Sequence, residues 1–145
     1  MITAKYATSA PMPLPAKRAS KPMLWTGRIL MGLSLAFLLM DAVMKLVTPT
    51  PAPVVKGMAD LGYPAGDTAV IGMILLVSTI LYAIPRTSVL GAILLTGYLG
   101  GATSASLRAG MPTFNLIFPE IVGAMVWGGL YLRDSRIRAL IPLRR

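Results

Sequence analysis

Long apolar runs alternate along the chain with short polar connections rich in proline and glycine, and the lengths of the runs define the organisation. The first run, residues 24–47, rises about 36 Å at 1.5 Å per helical residue, more than the ~30 Å of a bilayer's hydrocarbon core. It predicts a tilted membrane-spanning helix. Three further runs follow at 68–84, 89–107 and 114–132. The segment TPTPAPVVKGMADLGYPAGD between the first two reads as a loop with a short helical turn around Val54 to Leu61. PRTS joins the second run to the third, and RAGMPT the third to the fourth. A soluble four-helix bundle would need a polar outer face on each helix, and AVIGMILLVSTILYAI has none. The expected fold class is therefore all-α, an integral membrane four-helix bundle.

The flanks differ from the runs. Residues 1–23, MITAKYATSAPMPLPAKRASKPM, combine lysines, an arginine and four prolines without apolar periodicity, and predict an extended basic tail. A secretory signal would carry an apolar core of about 7–15 residues, so the longer first run predicts a retained anchor. The membrane domain is expected over 24–140, with a basic end at 141–145.

Composition agrees with this reading. Hydrophobic residues make up 55% of the chain and charged residues 13%, against roughly a quarter charged in a soluble domain. The net charge of +9 would suit a nucleic-acid binder if the cations covered one folded face, but here they flank apolar runs, so no nucleic-acid partner is expected. The bilayer is. With four spans, Lys5, Lys17, Arg18, Lys21, Arg28, Arg86 and the arginines from Arg133 onward fall on one side. Lys56 and Arg108 fall on the other with Asp60 and Asp67. The positive-inside bias then predicts that both termini are cytoplasmic. Cysteine and histidine are absent, which removes disulfides, thiol redox chemistry, bis-histidine haem and the usual zinc sites. No metal is expected, and any electrons would travel on a bound organic carrier or a partner subunit.

Four ionisable residues lie close to the expected hydrocarbon: Asp41, Lys45, Arg108 and Glu120. The up-and-down topology predicts that all four occupy the outer level of the bundle. An unpaired Asp or Lys near mid-bilayer costs roughly 2.5–3.5 kcal/mol on insertion scales, so such groups turn inward and find partners. Two arrangements satisfy this. In one, the four form an interior polar cluster, with Glu120 and Arg108 as counter-charges. In the other, Asp41 pairs locally with Lys45, four residues away on the same helix face, while the cations reach toward headgroups. Gly97, Gly101, Ala105 and Arg108 recur at three- and four-residue steps on the third helix. Glu120, Gly123, Trp127, Gly128 and Tyr131 form a stripe on the fourth. The glycines at 97, 101, 123 and 128 predict close helix packing, or a narrow pocket beside Glu120, Trp127 and Tyr98.

IPRTSVLGAILLTGYLGGATSASLRAGMP and LRDSRIRAL, together with the Lys45-Leu46 ending of the first helix, resemble the DoxX-like family of small four-helix bacterial membrane proteins. The resemblance runs from about Trp25 to Leu140. It implies a multi-pass protein of the bacterial inner membrane, associated with membrane redox assemblies, and supplies no catalytic motif to carry over. Two functions follow as expectations. One is a non-catalytic subunit or scaffold bound to a membrane protein partner or to further copies of itself. The other is a quinone- or lipid-binding protein whose site includes Asp41, Lys45, Arg108, Glu120, Trp127 and Tyr98. A quinone is the only cofactor either expectation carries. An ion-coupled transporter fits less well, because four spans show no inverted repeat.

Overall fold

The computed structural model describes residues 20–140. The segments 1–19 and 141–145, which carry most of the expected basic tail and the basic end, lie outside the described residues. Six helices make up the described chain: α1 Lys21–Leu46, α2 Ala52–Asp60, α3 Asp67–Ala83, α4 Ser88–Arg108, α5 Thr113–Arg133 and α6 Ser135–Leu140. The helix α1 begins three residues inside the stretch expected as tail, because Pro22 sits in its first turn, where a missing N–H costs nothing. The stretch after Arg133 turns back as α6 instead of trailing off. Arg138 donates to the carbonyls of Tyr131 and Leu132 and so closes the C-terminal end of α5.

Four helices form a ring in which α1 touches α3 and α5, and α4 touches the same two from the other side. The ring is apolar outside. Ile29, Leu33, Val70, Val77, Ile93 and Ile121 are each about half exposed, whereas Ser34, Ser78 and Thr79 are buried. The three buried hydroxyls donate to carbonyls four residues back, at 2.7–2.8 Å, so none remains unpaired in the interior. This distribution inverts that of a soluble bundle and matches a lipid solvent. Helices α1, α4 and α5 are long and apolar enough to cross a membrane, and α3 is a shorter apolar helix of 17 residues, about 25 Å. The protein is an all-α integral membrane bundle.

Its two ends are packed differently. At the α3–α4 turn, a Cβ added to Gly91 would lie 2.1 Å from the Tyr82 backbone nitrogen, so the two helices meet backbone to backbone. Gly27 and Gly129 bring α1 and α5 together in the same half, and the buried Tyr82 hydroxyl donates to the Val126 carbonyl at 3.0 Å. At the other end the α1–α3 and α4–α5 connections meet. There α2 and α4 both end on a glycine in the left-handed region, Gly62 and Gly110. In each, the N–H two residues past the cap reaches the carbonyl five residues back: Tyr63 to Met58 and Met111 to Ser106. These two turns aim the loops over the end of the ring.

Candidate functional site

The connection-end half of the bundle contains a cavity of about 810 Å³. Its origin lies in α4. Gly91, Tyr98, Ala102 and Ala105 share one face of that helix, since seven residues turn it through almost whole revolutions. At Gly91 this face is pressed against α3. From Tyr98 onward it lines open space, so α3 and α4 close at their hairpin and part toward the other end. Ile74 and the exposed Gly97 and Gly101 line the gap between them, so the cavity reaches the lipid-facing surface. Its apolar wall includes Phe37 and Phe118, whose rings meet edge to face at 5.2 Å, with Leu38, Leu99 and Val122. Helix α2 lies across the end through Val54, Gly57, Met58 and Leu61.

Polar groups enter this space from α1, α4 and α5, and Asp60 and Tyr63 line it at the α2 end. On α1, Lys45 Nζ donates to Asp41 Oδ1 one turn earlier. The order of acid before base, in the last turn of the helix, suits the helix dipole. Gly72 of α3 fixes this pair. A Cβ there would fall 2.7 Å from Lys45 Cβ, so the bare backbone of α3 lies on the lysine stem and leaves the side chain only 12% exposed. Helix α4 adds Tyr98 and Ser106. Helix α5 adds Asn115 and Pro119, and because Pro119 carries no N–H, the Asn115 carbonyl loses its usual intrahelical donor beside the cavity.

The residues anticipated for a site therefore separate. Asp41, Lys45, Tyr98, Gly97 and Gly101 line the cavity; Arg108, Glu120 and Trp127 do not. Arg108 Nη2 donates to the Leu61 carbonyl at 3.3 Å and ties the end of α4 to the loop after α2. Glu120 accepts a 2.9 Å bond from Thr103 Oγ1, and Trp127 Nε1 donates to Thr96 Oγ1 at 2.8 Å, both across the exposed α4–α5 seam. Among the described residues the ion pairs are Lys45–Asp41 and Lys56–Asp60. Glu120 and Arg108 are thus not the counter-charges of Asp41 and Lys45. The reason is angular: α5 buries Pro119, Val122, Val126 and Leu130, and Glu120 stands one residue, or 100°, around from Pro119.

The glycines need the same correction. Gly97 and Gly101 face open space, and a Cβ added at Gly123 or Gly128 would meet only a single leucine methyl, at an ordinary contact distance of 3.6 Å. The close approaches belong to Gly27, Gly72, Gly91 and Gly129. Sequence reasoning also missed Ser106, Asn115 and the roof formed by α2. Pro119 inside an apolar run was the signal available for the α5 wall.

The profile of the DoxX-like family matches residues 29–129, more than half of the chain and every residue that lines the cavity. The chain belongs to the DoxX-like family. Searches of curated proteins and of solved structures found no match. What this DoxX-like protein offers chemically is an apolar chamber open to lipid, with one ion pair and several hydroxyl and amide groups gathered toward its α2 end. Among the described residues no group of acidic or imidazole side chains is arranged to hold a metal ion.

Proposed function

We propose that this small integral membrane protein binds a lipophilic molecule of quinone or lipid type in the chamber between α1, α4 and α5, beneath α2. The observation that carries the reading is the cavity itself. Its volume of about 810 Å³ lies within the usual range for organic ligands, roughly 300–1,000 Å³, and its few polar groups converge inside a mostly apolar wall. The gap between α3 and α4 supports access from the bilayer, where such molecules dissolve. In this reading Asp41 and Lys45 form the polar wall against which a headgroup rests. The protein sits in the bacterial inner membrane with both termini cytoplasmic. Support for that orientation comes from Lys21, Arg28, Arg86, Arg133, Arg136 and Arg138, all at the end of the bundle opposite the cavity.

Native mass spectrometry of the protein extracted gently from its own membrane tests this. The wild type should release a molecule of defined mass, and Ala102→Trp, which fills the chamber, should not. A bare wild type, or equal retention by the variant, would refute the reading. A second reading, a non-catalytic subunit or scaffold, draws support from Glu120. Its carboxylate is exposed on the outer α4–α5 seam about 10 Å into α5, where a partner helix would shield it from lipid. Under that reading Glu120→Gln changes which chains co-purify and leaves small-molecule content unchanged.

A further inference from the structure

The chemical class of the ligand can be read from which polar groups in the chamber are already satisfied; this step rests on the ligand-binding reading above. Charge is satisfied internally. Asp41 is matched by Lys45, and at the rim Asp60 is matched by Lys56 at 2.6 Å. An ionic ligand would therefore bring a charge with no free counter-charge into a mostly apolar chamber.

Hydrogen-bonding capacity, by contrast, is left over. Asp41 uses Oδ1 for Lys45, and its Oδ2 accepts no hydrogen bond among the described residues. The Tyr98 hydroxyl, within electrostatic reach of Asp41, likewise has no partner among them. No buried side-chain nitrogen or oxygen among the described residues lacks a partner, so both atoms face accessible space. A phenol can donate and a carboxylate oxygen can only accept. Lining one cavity within electrostatic reach of each other, they complement a group that does both. A hydroxyl does so, whereas a carboxylate, a phosphate or an ether oxygen does not.

We propose that the chamber takes an electrically neutral lipophile bearing a hydroxyl, such as a quinol or another lipophilic alcohol. Its hydroxyl accepts a hydrogen bond from Tyr98 and donates one to Asp41 Oδ2. The molecule arrives from the bilayer through the gap lined by Ile74, Gly97 and Gly101, which opens onto lipid. Anionic amphiphiles are disfavoured because the free acceptor is itself an anion and the nearby cation is already engaged.

The test uses the full chain in nanodiscs of zwitterionic lipid and three probes: a decyl hydroquinone, its dimethyl ether and dodecanoate. The hydroquinone should bind saturably, and the other two at least about tenfold more weakly, the scale of one or two lost hydrogen bonds. Tyr98→Phe, which keeps the ring, and Asp41→Asn should each weaken hydroquinone binding about tenfold, and Asp41→Asn should leave the dimethyl ether, which has no proton to donate, unaffected. If dodecanoate binds as tightly as the hydroquinone, the neutral-hydroxyl class is wrong and the chamber remains a ligand site. Binding unaltered by both substitutions would overturn the placement of the hydroxyl. If none of the three probes binds, the ligand-binding reading fails with it.

Discussion

Gly72 aside, where α3 lies on the Lys45 stem, the two halves of the bundle use glycine in opposite ways. In the hairpin half, Gly27, Gly91 and Gly129 remove side chains so that backbones can touch, and Tyr82 fills the centre. In the connection half, Gly97 and Gly101 remove side chains where nothing comes to fill the space. The first half is a clamp. The second is a chamber held open by the first, because α3 and α4 can part at one end only if they are fixed at the other. The lesson is that a small-residue stripe in a membrane helix marks a place where volume is missing, and only the neighbouring helix decides whether backbone or ligand occupies it.

This contrast can be broken most sharply at the clamp. Gly91→Ala places a methyl 2.1 Å from the Tyr82 nitrogen and 2.5 Å from its Cα, so a helix must move. A loss of more than about 3 kcal/mol is expected, or failure to accumulate, read by thermal unfolding in detergent. A smaller loss, about 1–3 kcal/mol, is expected for Asp41→Asn, which strands the shielded Lys45 ammonium. Adding Lys45→Met should recover most of it, since replacing both partners of a buried pair with apolar or neutral groups is often tolerated. The smallest effect has the opposite sign. Gly101→Ala meets no atom within 4 Å and removes a helix-weakening glycine, so a gain of about 0.5–1 kcal/mol is expected in the same assay. An equal response to alanine at 91 and 101 would erase the distinction between the halves.

Fold and site were not equally legible in the sequence. The apolar runs and breaker residues carry the bundle plainly, because lipid imposes length and polarity on every span. Even the α2 turn was visible in VVKGMADL, with Gly62 just beyond it. The site was harder, because facing depends on angle, and a shift of 100° separates Pro119 on the cavity wall from Glu120 on the outside. Charge was a poor guide to that angle. Glu120 and Trp127 find hydroxyl partners in Thr103 and Thr96 on the adjacent helix, so neither has to turn inward. Asp41 and Lys45 were legible because four-residue spacing forces them onto one face. The role of Gly72 in holding Lys45 was hidden, since it depends on how closely α3 approaches α1.

One half of the bundle is open to lipid and the other closed, and the accessibility of single cysteines tests this directly. The chain has no native cysteine, so single cysteines can be read without background. Ala102→Cys in the chamber and Ala92→Cys in the clamp would be exposed to an uncharged, membrane-soluble maleimide in the intact bilayer. Rapid labelling at 102, slowed by added decyl hydroquinone, with little labelling at 92, is the predicted result. Equal labelling at both positions, or none at 102, would contradict the account.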